Sequence, residues 1–130
     1  MKANELRIGN KVDCFGIKEV DSIIRTANGS FKLIVCEKKE SGVSICESVL
    51  IESVDLKPIP LTEEWLLKFG FDDNGIFVDD SRGFLYWDGS SLHISDSRDT
   101  NYTFVAICEH VHQLQNLYFA LTNEELKIEL

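Results

Sequence analysis

Cysteine and histidine are the side chains of this chain most able to bind a metal or act as a nucleophile or base. Cys108, Glu109, His110 and His112 lie close together in the sequence, with His93 more distant. Positions i and i+2 of a helix point about 200° apart and cannot share a metal ion. A helix is expected to begin here, so the pattern favours a polar helix start over a metal site, and we predict no metal or cofactor.

Paired carboxylates could serve as general acid and base or bind calcium. The two pairs are Asp72-Asp73 and Asp79-Asp80, and their spacing does not match a calcium-binding loop. A short predicted strand separates them by about 10 Å. Aspartate often accepts hydrogen bonds from its own backbone in tight turns, which favours turns over an acid/base pair.

The remaining reactive residues give no sign of an enzyme. The sequence has no G-x-S-x-G, P-loop, G-x-G-x-x-G or H-E-x-x-H motif. A small hydrolase using Asp and His is therefore the least favoured function. The cysteines are Cys14, Cys36, Cys46 and Cys108, with no C-x-x-C pair. Four free thiols, as in a reducing cytosol, are favoured over disulfides.

Charge divides the chain into two parts. Its net charge is −9 and its isoelectric point about 4.7. Residues 1–57 hold nine cations and nine anions, whereas residues 58–130 hold four cations and thirteen anions. This balance argues against binding to duplex DNA or RNA. No apolar run approaches the ~20 residues of a membrane span, and no export signal is evident, so a cytoplasmic protein is expected.

The first part, residues 1–57, is predicted to be a lobe of short strands that curls into an SH3-like β-barrel. Strands are expected at 11–15, 20–26, 31–37, 43–51 and 54–56, with a hairpin turn at Asn28-Gly29. Pro58-Ile59-Pro60 then forms a short, stiff connection.

The second part, residues 58–130, is predicted to combine two helices with an antiparallel sheet, which makes the chain α+β with two packed lobes. Thr62 and Gly70 bound a helix at 63–69, and a meander of strands follows. A second helix is expected at 109–122, ending at Asn123. Its core stripe is predicted to be Val111, Leu114, Leu117, Tyr118 and Leu121. Residues 126–130 are predicted to form a strand, with a short helix as the alternative.

The side of the second helix opposite this stripe carries amides and imidazole rather than charge. Amides donate and accept hydrogen bonds without a large desolvation cost, so they suit a covered face. The cover could be the protein itself or a partner. The candidate interaction face, which we call the amide face, consists of His112, Gln113, Gln115, Asn116 and Phe119.

Three segments resemble a family of small uncharacterised proteins of Bacteroides-group gut bacteria and their phages and prophages. They are MKANELRIGN at the start, PIPLTEEWLLKFGF at the junction and VHQLQNLYFALT in the second helix. The resemblance implies a bacterial or phage setting and brings no catalytic residue with it.

These observations predict a non-enzymatic protein, phage- or prophage-associated, that binds another macromolecule. The expected partner is a basic protein, for example one of a host nucleic-acid-binding system, and a homo-oligomer is compatible with the sequence. The alternative is a protein that binds or sequesters a small ligand in a pocket between the lobes. The candidate pocket residues are Trp65, Tyr86 and Trp87.

Overall fold

The chain is α+β, as predicted, with two antiparallel sheets and two α-helices in the residues that the structure describes. The structure is a computed structural model that describes residues 1–79, 83–95 and 102–127. Its internal contacts divide the chain into a first unit, Met1–Ile59, and a second unit, Pro60–Leu130. Each unit has its own sheet.

The sheet of the first unit is a five-stranded, barrel-like antiparallel sheet. A short 3₁₀ helix, Ala3–Glu5, precedes it. The strands follow in the spatial order β4-β3-β2-β1-β5, so the last short strand returns beside the first. The strands are β1 (Lys11–Cys14), β2 (Ile17–Arg25), β3 (Phe31–Lys38), β4 (Ser44–Leu50) and β5 (Leu56–Lys57).

Alternating apolar residues build the core of the first unit on the concave face of this sheet. Val12, Val20, Leu33 and Val35 are completely buried. Successive side chains of a strand point to opposite faces, so one face can be filled with aliphatic groups while the other stays polar. Because the sheet curls, the side chains on this face pack against one another, and a unit of 59 residues can bury them.

Two of the four cysteines form a disulfide bond, so the prediction of four free thiols is wrong. Cys36 on β3 and Cys46 on β4 are directly opposite each other in the strand register and are bonded. Their Cα atoms are 4.0 Å apart. Cys14 and Cys108 remain free and buried. The pairing depends on the register of the β3–β4 hairpin, which cysteine spacing alone does not specify.

The second unit places its helices before and after a four-stranded meander. The sheet order is β6-β7-β8-β9, as the turn signals predict. In chain order the elements are α1 (Glu63–Lys68), β6 (Ile76–Asp79), β7 (Gly83–Trp87), β8 (Ser91–Ser95), β9 (Thr103–Ile107) and α2 (Val111–Thr122).

Helix α1 begins where its local sequence predicts and ends at Lys68, one residue before the predicted end. The Thr62 hydroxyl accepts a hydrogen bond from the Trp65 amide at 3.4 Å, which caps the first turn. Glu63 and Glu64 occupy the first turn and Lys68 the last, as the helix dipole favours. Gly70 follows with a φ of +93°, a left-handed conformation that glycine adopts without strain.

Helix α2 begins two residues later than predicted. The Leu61 amide donates to the Glu109 carbonyl at 2.9 Å, and Pro60 forms an isolated β-bridge with His110. These contacts keep Glu109 and His110 extended, so the first helical residue is Val111. The helix ends at Asn123, which has a φ of 59° and takes the predicted left-handed position.

The end of the chain does not match the predicted strand over the part that is described. Residues 123–127 form neither a strand nor a helix, and residues 128–130 lie outside the described residues. Leu126 is nevertheless buried. No helix in the described ranges is long and apolar enough to cross a membrane.

Candidate functional site

The amide face of α2 is not a single accessible surface. His112 and Gln115 are buried, with exposed fractions of 1% and 3%. Burial excludes both residues from any surface that a partner could contact in this conformation. Asn116 and Phe119 are partly buried. The core stripe is therefore rotated around the helix from the predicted one, towards His112 and Gln115.

Gln113 has a local structural role at the start of α2. Its Oε1 accepts hydrogen bonds from the backbone amides of Glu109 at 2.9 Å and His110 at 3.1 Å. This is the glutamine half of a capping box, which satisfies amides that have no partner within the helix. The uncharged side chains at these positions are thus explained by burial for His112 and Gln115 and by capping for Gln113.

The polar cluster before α2 differs from the expected helical geometry because His110 precedes the helix. The rings of His110 and His112 stack with centroids 5.8 Å apart, although i and i+2 would diverge on a helix. Burial raises the pKa of the Cys108 thiol to about 12, so this cysteine stays protonated near neutral pH. In the described part of the chain, no three His, Cys, Asp or Glu residues are placed to hold a metal ion.

A cavity of about 210 Å³ lies within the second unit, between the start of α1, the turn before β6 and the end of β7. We call it the acidic cleft. It contains two of the three predicted pocket residues, Tyr86 and Trp87. Four acidic residues line the cleft together with these two, and no lysine or arginine is among its described lining residues. The carboxylates belong to Glu63, Asp72, Asp73 and Asp88.

The third predicted pocket residue, Trp65, does not line the acidic cleft. Its ring packs against Phe69, with centroids 5.8 Å apart, and the Lys68 ammonium lies 5.1 Å from its centroid. A cation thus already occupies the neighbourhood of this ring. Trp65 contributes to the surface of α1 rather than to the cleft.

Backbone contacts fix the cleft wall around Trp87. The Trp87 indole N–H donates to the Cys108 carbonyl at 2.7 Å, and its backbone amide donates to the Gly75 carbonyl at 2.9 Å. Gly75 has a φ of +77°, and a Cβ at this position would lie 2.7 Å from the Trp87 carbonyl oxygen. The turn can approach β7 this closely because residue 75 is a glycine.

Two of the four carboxylates are held by their own turns. The Asp72 Oδ1 accepts from the amides of Asn74 at 2.9 Å and Ile76 at 3.0 Å, as turn chemistry predicts. The Asp88 Oδ1 accepts from the amides of Ser90 at 2.9 Å and Ser91 at 2.8 Å. These bonds fix the direction in which both negative charges face.

The Ser90 amide, the His93 ring and the Ser91 amide together lower the pKa of Asp88 to about 2. Asp88 is therefore ionised throughout the physiological range. Glu63 and Asp73 are exposed at the rim of the cleft, where they remain accessible to a ligand.

Sequence reasoning did not predict these carboxylates as part of one site. The sequence pattern assigns Asp72 and Asp73 to a turn, and the structure agrees with that assignment. The signal that could have found the site is the repeated placement of acids beside aromatics in the anionic half of the chain.

Comparison of the chain with models of known protein families, with curated proteins and with solved structures yields no match. The chemistry of the acidic cleft and of the second unit is thus the basis for any functional conclusion.

Proposed function

We propose that the protein is a non-enzymatic binding protein that acts by binding a basic protein partner through its second unit. The observation that carries this proposal is the composition of the acidic cleft. Four acidic residues and two aromatic residues line its wall, and its described lining residues include no cation. A lysine or arginine side chain combines a positive charge with an apolar stem, and both find complementary groups there.

The charge distribution of the chain supports a basic partner. Residues 60–130 carry thirteen anions and four cations, whereas residues 1–59 carry nine of each. A surface dominated by one sign of charge accelerates encounter with partners of the opposite sign and repels partners of the same sign. The same charge balance is the reason that duplex nucleic acid is not expected as a partner.

The size of the cleft favours a partner's side chain over a small ligand. Pockets for drug-sized molecules commonly have volumes of about 300–1,000 Å³. The cleft, at about 210 Å³, is smaller than that range. A single long side chain fits such a volume, and the rest of the partner would then lie outside the cleft.

The biological setting in the proposal comes from the three segments that resemble proteins of Bacteroides-group bacteria and their phages. We infer that the protein acts in a bacterial cell, as a phage or prophage accessory protein or as an inhibitor of a host system. An inhibitor that covers a cationic surface would suit a host nucleic-acid-binding system.

A tryptophan-fluorescence titration with a short lysine–glycine peptide tests the proposal, because Trp87 lines the cleft. The double variant Glu63→Gln/Asp73→Asn removes the two rim charges. Glu124→Gln/Glu125→Gln is the matched control, because it removes the same charge from the same unit, and none of its positions lines the cleft.

The proposal predicts that wild type binds the peptide and that binding weakens as salt rises. The cleft variant is expected to bind about tenfold more weakly, since two charge-assisted contacts are lost, and the control about twofold or less. Equal weakening by both variants would place the contact outside the cleft. Failure of wild type to bind at low salt would contradict the proposal.

A further inference from the structure

The second unit has a row of side chains that crosses all four strands on one face of its sheet. Ile76 pairs with Tyr86, Tyr86 with His93, and His93 with Phe104. Residues directly opposite each other in an antiparallel sheet point to the same face, so these four side chains are neighbours. We call this set the aromatic row.

Ring contacts join the three aromatic members of the row, Tyr86, His93 and Phe104. The ring centroids of Tyr86 and His93 are 5.7 Å apart, and those of His93 and Phe104 are 5.8 Å apart in an edge-to-face arrangement. The Tyr102 ring extends the row, with its centroid 5.3 Å from that of Tyr86. These separations are those of attractive aromatic pairs.

This face exposes large apolar side chains where an antiparallel sheet exposed to water is ordinarily polar, although Ser91 and Ser95 also lie on it. Phe104 is 56% exposed, and Val78 and Ile107 on the same face are 46% and 61% exposed. Five large apolar side chains of the second unit are exposed among the described residues, and these are three of them. The opposite face carries buried Leu85 and Leu92 and supplies the core.

The aromatic row is also held in place before any partner arrives. The His93 Nε2 lies 3.0 Å from the Asp88 Oδ2, and Asp88 is fixed in turn by the amides of Ser90 and Ser91. Rigid rings lose little conformational freedom on binding, which favours their use as contact residues.

We propose that the aromatic row docks an arginine-rich segment of the partner, with guanidinium groups stacked on its rings. This inference rests on the proposed function and extends the contact from the acidic cleft, which shares Tyr86, along the aromatic row, with a preference for arginine. A guanidinium is planar, stacks on aromatic faces and is weakly hydrated. An ammonium group is a compact charge that is strongly hydrated and cannot stack in this way.

Charge argues for this occupant over the two others that an aromatic sheet face could accept. A second copy of the chain would bring together two units that each carry thirteen anions and four cations. Single-stranded nucleic acid stacks on such rows but needs a positively charged groove for its phosphates. A cationic peptide segment can stack on the rings and is attracted by the net negative charge of the second unit.

The test compares the full-length chain and its Phe104→Ser variant for binding to short arginine–glycine and lysine–glycine peptides. Phe15→Ser is the matched control, since Phe15 is 73% exposed and belongs to the first unit. Thermal melting of each variant checks that it folds. A uridine-only oligonucleotide and sedimentation of the free chain test the other occupants.

The inference predicts that the arginine peptide binds about fivefold more tightly than the lysine peptide, and that Phe104→Ser removes this difference. Phe15→Ser and Phe104→Trp should both keep the difference in affinity between the arginine and lysine peptides. If Phe104→Ser fails to fold, aromatic NMR signals of His93 and Phe104 in the wild type are expected to shift on addition of the arginine peptide.

Equal binding of both peptides, unaffected by Phe104→Ser, would overturn this inference and leave the proposed function intact. Failure of both peptides to bind would overturn both. Oligonucleotide binding as tight as peptide binding, or self-association abolished by Phe104→Ser, would assign the row to a different occupant and overturn the inference.

Discussion

The two units solve the same problem, burying one face of a short antiparallel sheet, in different ways. The first unit curls its sheet around small aliphatic side chains and crosslinks β3 to β4 through Cys36–Cys46. The second unit has two helices beside its sheet and orients its turns with polar contacts to Asp72, Asp88 and Gln113. The first unit is also electrically neutral, and the second carries the whole net charge.

Under the proposed function, this difference divides stability and binding between the two units. The first unit uses its ordered side chains to form a buried core and a disulfide bond. The second unit holds its carboxylates and rings rigid and leaves some of them accessible. Its exposed apolar residues are Leu67, Val78, Phe104, Ile107 and Leu121 among the described ones, and they belong to an anionic unit. The exposed groove of the first unit is lined by apolar residues such as Met1, Ile23 and Phe31.

The largest effect is expected from truncation of the first unit's core. Leu33→Ala removes a completely buried side chain at the centre of β3 and should cost about 2–5 kcal/mol of unfolding free energy, through lost burial and a residual cavity. Urea denaturation measures this cost. Ile24→Ala, at a position 40% exposed, is the control and should cost much less. Equal costs would mean that the aliphatic core does not dominate the first unit.

The next effect concerns the covalent link. The double variant Cys36→Ser/Cys46→Ser removes a disulfide that closes a short loop, and the loop-closure account predicts a loss of about 2–3 kcal/mol. Thiol titration of the unfolded, unreduced wild type should find two reactive thiols, from Cys14 and Cys108. Four reactive thiols would show that the bond does not form under the conditions of preparation.

A smaller effect is expected from the cap of α2. Gln113→Ala leaves the amides of Glu109 and His110 without their acceptor and should cost about 1 kcal/mol. Gln113→Glu keeps an acceptor oxygen at the same position and should retain most of the stability. If Gln113→Ala instead abolished partner binding without changing stability, the amide would belong to an interface rather than to the cap.

The smallest effect is a pH dependence confined to the second unit. The pKa of Asp88 is lowered to about 2 in the folded state, so its contribution is complete above the ordinary aspartate pKa and is lost as the pH falls towards 2. Asp88→Asn should therefore flatten the loss of stability over this acid range and leave stability near neutral pH lower. Thermal melting as a function of pH measures both slopes, and identical slopes would contradict the assignment.

Local signals predicted much of the fold and little of the site. Helix α1 was predictable because Thr62, Glu63 and Gly70 act within a few residues of one another. Helical periodicity did not place His112 on the buried side of α2. The Cys36–Cys46 bond depends on the register of the β3–β4 hairpin, which the cysteine spacing does not specify. The acidic cleft joins the start of α1, the Asp72 turn and the end of β7, so no single segment of the sequence contains it.

Backbone amide NMR of the full-length chain, titrated with the arginine–glycine peptide at low salt, tests the central claim most directly. We predict chemical-shift changes within residues 60–130, concentrated at Glu63, the Asp72–Gly75 turn, Trp87 and Phe104, that fade as salt is raised. Changes concentrated in residues 1–59, or no change at all, would contradict the account.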